Sequence, residues 1–586
     1  MNHLRAFLCI LAVLPVFGGA ATVEPFQHRP ATLQIGLWTL WHDKEILISP
    51  ATSGKATIRF CEQCASTPLQ QPIAIRAFNT DVALPNNSRH SSIFTNGPIS
   101  LSAHGETVNL SNPLHITSRA GELILSVTLP VETYVERVVA SESGSADSLE
   151  SLKALAIVVR SFALHQQHGH TDYDLCDSTH CQLLHWGSIG DRRAAAHIAT
   201  LSTAGETLWY HRERVEAWFH QNCGGRTASP SEVWPTRSHG VKQGQMPWLA
   251  SRPDSYCTSN GAREWSSSLS LAELTSALGT AGLVRPGWKT LSVTQRGESG
   301  RAVKLMVGVT EVSAEDLRLA IGRALGWGKI LSTWFEVVPQ GDQFLFHGRG
   351  SGHGVGLCQA GAAAMAGRGH DSGQIIEQYF PGAIAADETS GRTWQSLHGQ
   401  GFSLETMTPA DQATMTQLEQ ALAAAEARSS LHAAGPITVR SFASTAAFRD
   451  ATLAPGWVAA FTEGEWIGTQ PLSTLATRKL LVPTLQHEFL HALVEAQAAP
   501  NTPLWLREGL VETWANDGPM TRNAAPALKV DDADRALSHA TTEAESASAH
   551  RAAGWLAQRA LERYGKTRVI AWLRTGIPTG AVSALR

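Results

Sequence analysis

Between Leu129 and Gly187 the chain sets a lone acid ahead of a cluster of metal-type side chains. The acid is Glu142, which reads as a loop residue between two helical patterns. The cluster is His170-x5-Cys176-x3-His180-Cys181. Two imidazoles and two thiols suit a closed tetrahedral zinc ion. The spacing is not a common finger pattern, and in an oxidising compartment Cys176 and Cys181 could instead pair as a disulfide. The residues alone leave both open. They also leave Glu142 open: a half-buried carboxyl can move protons, and a solvated one is only a surface charge.

A second constellation lies near the C-terminus. His487-Glu488-Phe489-Leu490-His491 sets two histidines one helical turn apart with an acid beside the first, the H-E-x-x-H arrangement of zinc proteases. There the imidazoles bind zinc and the glutamate takes a proton from the metal's water. WLREGLVE follows, with Glu508 as a candidate third ligand and Glu512 one turn on as a candidate orienting acid.

The elements that must position these groups can be read from periodicity. Val131 to Val139 and Leu149 to His165 carry apolar residues at helical spacing, the second with Leu149, Leu152, Ala156, Val159 and Ala163 on one face. Residues 33 to 128 alternate apolar and polar over short runs such as EILISP and GELILSVTLP, which marks a β-rich region. Within it, Cys61 and Cys64 read as a local disulfide or two unrelated thiols. GRGSGHGVGLCQAGA lacks the βαβ setting of a nucleotide loop and reads as a backbone that approaches something closely, presenting His353. Residues 386 to 407 are polar and Gly/Ser-rich and read as a linker. Thr408-Pro409-Ala410-Asp411 then opens a helix.

With 586 residues the chain needs more than one core. Its net charge of −4 provides no basic field for nucleic acid, which is not expected as a partner. Arg5, an apolar run from Ala6 to Phe17 and small residues around Ala20 read as a secretory signal peptide over 1–21; no later stretch is long enough to span a membrane. The expected location is therefore exported: periplasmic, wall-associated or secreted. Seven cysteines follow that leader, so at least one has no disulfide partner within the chain.

Several motifs occur in a fixed order: LPVETYVERVVASES, SLKALAIVVRSFAL, YDLCDSTHCQ, FHQNCGGRT, GRGSGHGVGLCQAGA and IIEQYFPGA. Together, over about residues 30–385, they resemble the stage II sporulation protein D and amidase-enhancer family. The resemblance implies a peptidoglycan lytic transglycosylase acting on glycan strands stripped of their peptides, with Glu142 as the single acid/base. It implies structural zinc at His170, Cys176, His180 and Cys181. Gly224, Gly225 and His353 are expected at the glycan. Arg160 is set with them as a substrate-binding candidate, its other reading being a residue that holds the Glu142 loop or caps a core. Cys223 with Cys257 is a candidate disulfide, Cys358 being an alternative partner. Residues 400–586 resemble gluzincin-type (peptidase MA-like) metallopeptidases, which implies catalytic zinc on His487, His491 and Glu508, Glu488 as base, and a peptide or protein substrate. The other reading is a non-catalytic wall-binding amidase enhancer, partnered by a cell-wall amidase, with a peptidase-like binding domain.

The expected fold class is α+β and multidomain. The β-rich part (22–128) and the catalytic part (129–385) form a mixed α/β module, and after the linker (386–407) a zincin-like α+β domain covers 408–586.

Overall fold

A computed structural model describes residues 31–51, 55–144, 147–165, 169–188, 190, 192–234, 246–259, 263–516, 530–578 and 580–581. The expected signal peptide lies outside them. The chain forms two compact units, Thr32–Gly391 and Arg392–Arg586. Helices and strands are both plentiful in each, so the chain is α+β and multidomain.

The alternating segments of the first unit become two sheets. One has seven strands, with Glu122–Pro130 paired on one side to Thr32–Gly36 and on the other to Leu114–Arg119. The other has six and is centred on Glu45–Pro50 and Ile99–Ala103. Their inward residues, among them Ile35, Ile48, Ile75, Ile116 and Val127, share one core, as strand alternation dictates. Cys61 and Cys64 form a disulfide.

Out of Pro130 the chain enters helix α1, Val131–Glu142, and then α2, Leu149–His165. α1 buries Val131, Tyr134, Val135, Val138 and Val139, the i, i+3, i+4, i+7, i+8 stripe of an amphipathic helix. It runs three residues further than its apolar run, so Glu142 ends the helix rather than lying in a loop. Leu149, read as part of the buried face of α2, is 40% exposed, because it opens the helix where the core has not yet begun.

Arg160 of α2 is fully buried and grips Glu132 in the first turn of α1 through two bonds, Nε–Oε1 at 2.9 Å and Nη2–Oε2 at 2.6 Å. Nη1 donates to the Glu206 carbonyl at 3.0 Å. This sets aside Arg160 as a glycan contact and agrees with its structural reading. Its planar fork is spent on joining two helices, at the end of α1 about 15 Å from Glu142 at the helical rise per residue.

A segment within 264–349 has a core of its own, built from Leu274, Leu305, Leu317, Ile321, Phe335 and Phe346 beneath two three-stranded sheets. Periodicity does not separate it from the surrounding module.

The second unit has a five-stranded sheet in the order Gln395–Gly399, Phe402–Thr406, Ile437–Ser441, Trp466–Thr469, Ala460–Glu463. Its first hairpin occupies most of the stretch expected to be a linker. The polar residues there face solvent from an edge strand, while Phe402 and Leu404 enter the core. Around the sheet pack the helices Gln412–Ser429, Leu481–Glu495, Leu504–Ala515 and Glu543–Tyr564.

Breaking a buried ion pair by removing one partner strands the other charge. Arg160→Ala is therefore expected to destabilise the first unit by about 3–5 kcal/mol, read from urea unfolding. Arg160→Lys should recover only part of this, since an ammonium cannot make the two-pronged contact. Wild-type stability in both variants would show that the pair does not hold the helices.

Candidate functional site

Glu142 sits half-buried at the C-terminal end of α1. Its carboxylate accepts one hydrogen bond, from the Leu183 amide at 3.2 Å. Burial pushes its pKa up from an ordinary 4.5 to about 7, and the Leu183 bond only partly opposes this. Placing an anion beside the carbonyl end of a helix dipole also disfavours the charged form.

Three contacts fix the backbone around it. Gln359 Nε2 donates to the Glu142 carbonyl at 3.2 Å, Arg192 Nη1 donates to the Ser143 carbonyl at 2.9 Å, and the His185 amide donates to Ser141 Oγ at 2.9 Å. Gln359 lies more than two hundred residues downstream, within the motif GRGSGHGVGLCQAGA, whose spacing does not single it out. A hollow beside this site is lined by Asp147, Ser151, Leu152, Leu155, Leu357, Gln359 and Ala362. A larger cavity of about 250 Å³ lies at the other end of α2, lined by Ser161, His165, Thr207 and Arg214. It holds no acid, and Glu142 lines neither hollow, so the candidate for chemistry rests on the buried acid itself rather than on a cavity.

The segment that supplies Leu183 begins at the His/Cys cluster. Leu175–Cys176 adds as a parallel edge strand to Thr32–Gly36. Asp177 then accepts from the amides of Trp38 and Thr39 at 2.6 and 3.2 Å and from the Trp186 indole at 3.0 Å. His170, Cys176, His180 and Cys181 converge with their donor atoms all within 4.8 Å of one another. His170 Nε2 is 3.2 Å from Cys181 Sγ, and His180 Nδ1 is 3.7 Å from both sulfurs. The sulfurs are 3.1 Å apart and unbonded. Bonds of about 2.3 Å to sulfur and 2.0 Å to nitrogen set tetrahedral ligand atoms roughly 3.3–3.8 Å apart, so these four groups fit zinc with small adjustments. Hydrogen bonding from Cys181, aided by His180 and Ser178, pulls the Cys176 thiol well below its ordinary range, toward the metal-binding thiolate. Nearby, His185 contributes its amide to Ser141 and no ring to the cluster. Just past the cluster, Gln182 Oε1 accepts from the buried Tyr134 hydroxyl at 2.9 Å, which ties this loop to α1 one residue before Leu183.

The other residues expected at the glycan are placed differently. Gly224 and Gly225 have φ of +75° and +109° and form a tight turn beside three buried cysteines. A Cβ on Gly225 would lie 3.0 Å from Thr258, so here the glycines serve a close backbone approach. His353 packs between Trp234 and His220, with ring centres 5.2 and 5.6 Å away, and its Nδ1 accepts from the Val355 amide at 3.1 Å. Burial keeps it neutral, well below its ordinary pKa. Cys223 and Cys257 are not bonded to each other.

In the second unit His487, Glu488 and His491 lie on the helix Leu481–Glu495, and all three are buried. The two Nε2 atoms are 3.1 Å apart. Glu508, on Leu504–Ala515, comes within 3.7 Å of His491 and 3.2 Å of His550. The set is looser than a compact triad: both clusters of three or more such donors within 4.8 Å among the described residues lie in the first unit. Thr462 Oγ1 donates to Glu488 at 2.5 Å. Glu512 is bonded by Asn516 one turn along its own helix. A Cβ on Gly509 would lie 2.3 Å from the Ala553 carbonyl, so this glycine lets the helix Glu543–Tyr564 come close enough to deliver His550. Against burial, Glu508 lifts the His550 pKa to about 9; His491 and His550 in turn hold Glu508 below the usual carboxylate range despite its burial.

Residues 119–210 match the family model described as stage II sporulation protein (SpoIID), and residues 249–356 match a domain of unknown function, DUF8618. The first match spans α1, Glu142, α2 and the His/Cys cluster. The second spans the segment with its own core. The chain is similar to stage II sporulation protein D of Bacillus subtilis, with 26% identity over 43% of this chain and 74% of that protein. It is similar to the amidase enhancer of the same organism at 24%, over 42% of this chain and 39% of the enhancer. An uncharacterised protein of Brachyspira hyodysenteriae is 25% identical over 45% of this chain and 69% of its own length. Among the described residues no helix is long and apolar enough to cross a membrane.

The raised carboxyl has a stability consequence. The folded state holds its proton more tightly than the unfolded chain, so stability falls as pH rises from about 4.5 through 7 and is level above that. Glu142→Gln removes this loss. Relative to wild type the variant should gain about 3 kcal/mol between pH 4.5 and pH 8, seen as a pH-dependent difference in urea midpoints. A difference that is flat with pH would place the carboxyl in water.

Proposed function

We propose that this protein remodels peptidoglycan outside the cytoplasm, and that its first unit is a lytic transglycosylase acting on denuded glycan strands. The observation that carries the reading is the half-buried Glu142 carboxyl, which burial raises to about 7 and which accepts one hydrogen bond among the described residues. Glycosidases with two carboxylates use one as acid and the other as base or nucleophile. A lone acid suffices where the sugar supplies its own nucleophile.

In the proposed reaction, protonated Glu142 gives its proton to the glycosidic oxygen as the bond from C1 to that oxygen breaks. The departing sugar leaves with a free 4-hydroxyl. The resulting carboxylate takes the proton of the C6 hydroxyl of the same N-acetylmuramic acid as that oxygen bonds C1. The product has a 1,6-anhydro end, Glu142 is protonated again, and no water is consumed. A pKa near 7 keeps both forms of the carboxyl within reach at neutral pH. The His/Cys cluster would hold zinc as a closed four-ligand site, which shapes the loop carrying Leu183 and leaves no position for substrate.

For the second unit we propose a zinc peptidase. His487, His491 and Glu508 would hold the ion, which polarises a peptide carbonyl and acidifies water when bound. Glu488, held by Thr462, would accept the water's proton. Similarity to an amidase enhancer favours a second reading of the first unit, as a wall-binding module that stimulates a partner amidase.

On purified denuded glycan, Glu142→Gln should lower release of anhydro-ended products about 10²–10⁴-fold, measured by chromatography and mass. Wild-type turnover should fall as pH rises above about 7, where the acid is lost. Undiminished release by the variant would favour the enhancer reading. Independently, His487→Ala should lower the zinc content of the full chain by about one ion; an unchanged content would exclude a metal at that helix.

A further inference from the structure

A second convergence of metal-type donors lies in the first unit, apart from the His/Cys cluster. Cys223, Asp254, Cys257 and Cys358 are all buried, and one donor atom of each lies within 4.8 Å of the others. They come from three stretches of chain: the turn at 222–225, the segment 254–257, and the N-cap of the helix Gln359–Ala366. We propose that these four residues bind a thiophilic divalent cation, zinc in class, through three thiolates and one carboxylate.

Two of the three sulfurs accept from backbone amides, and the Cys257 thiol faces Asn222 Oδ1 at 3.3 Å. The Cys223 amide donates to Cys358 Sγ at 3.2 Å, the Gly225 amide to Cys223 Sγ at 3.3 Å, and the Gly361 amide to Cys358 Sγ at 3.4 Å. A neutral thiol is a weak acceptor, and amides aimed at sulfur favour the thiolate. The turn that aims two of these amides needs the positive φ of Gly224 and Gly225. Asp254 is oriented too, its Oδ1 accepting from the Cys257 amide at 3.0 Å and its Oδ2 from the Tyr379 hydroxyl at 2.9 Å. The Cys223 thiol donates to Asp254 Oδ2 at 3.2 Å, so the two groups already stand close to the spacing of neighbouring ligands in a tetrahedral site.

Charge supplies the second argument. Three thiolates and a carboxylate cannot be buried together without compensation. A dication removes half of that charge, and the next cation is in place. Arg301 is 1% exposed and donates Nη2 to the Cys223 carbonyl at 2.9 Å, while its Nε and Nη1 have no hydrogen-bond partner among the described residues. A buried guanidinium with two idle donors beside the cluster is explained by a net negative neighbour. Disulfide chemistry leaves the third sulfur and Asp254 unaccounted for.

The site also touches the proposed function. Gln359, which follows Cys358, bonds the Glu142 backbone. On the lytic reading, metal at Cys358 anchors that contact as the His/Cys cluster anchors Leu183.

The test is a metal count on the full chain purified under reducing conditions and supplied with zinc alone. Cys257→Ser is expected to lose about one zinc relative to wild type. A His170→Ala/Cys181→Ser variant should lose a different one, so that the combined variant loses both. Should Cys257→Ser fold poorly, the wild-type protein still decides: Cys223, Cys257 and Cys358 should resist alkylation until a strong chelator is added and then react together. Unchanged zinc in Cys257→Ser, alkylation without chelator, or a disulfide between any two of the three in non-reduced peptide maps would overturn the assignment. None of these readouts depends on glycan cleavage, so failure of the lytic reading leaves the result intact.

Discussion

Keeping one carboxyl partly out of water at the end of a helix is the constraint around which the first unit is built. Such a group repels its own helix terminus and attracts solvent. It stays half-buried only if the chain on every side is held in place. The structure meets this at a distance from the acid. Arg160 pins the first turn of α1, and the helix carries that fixed position to Glu142. At the near end, Leu183 and Gln359 arrive from segments far apart in sequence.

Both of those segments leave a cluster of cysteines with other donor side chains just before they reach Glu142. Leu183 lies two residues beyond Cys181, and Gln359 one residue beyond Cys358. Loops are ordinarily the mobile part of a fold. Tying each one to a dense polar cluster next to the contact removes that freedom where it would let water in. The segment with its own core contributes to this closure through Arg301. The second unit follows a related logic. It buries His487, Glu488, His491, Glu508 and His550 among large apolar side chains, and the two acids take their partners from the imidazoles and Thr462. Buried charges are tolerated when they are paired.

Much of this is legible in the residues alone. The helical stripe of α1, the full extent of α2 and the short strands ahead of them follow from residue periodicity, because one face of each must be buried. The His/Cys cluster is visible since its members are close in sequence. What misleads is context. Arg160 looks available for a ligand, because nothing local reveals that Glu132 sits beneath it. A polar, glycine-rich stretch looks like a linker, because the edge strand of a hairpin exposes the same residues a linker would. Cys223 and Cys257 look like a pair, with Cys358 as an alternative, because no spacing shows that all three thiols and Asp254 share one site.

The sequence by itself therefore determined the local elements, the identity of the candidate acid and the two motif-borne donor sets, all encoded within a few helical turns or one loop. Only the tertiary structure decided which groups share a site. Burial, the shift of Glu142 toward 7, the contact from Gln359 and the gathering of Cys223, Asp254, Cys257 and Cys358 all depend on chain segments separated by tens to hundreds of residues. Electrostatic environment is a property of what lies within a few ångströms, and no spacing along the chain specifies it.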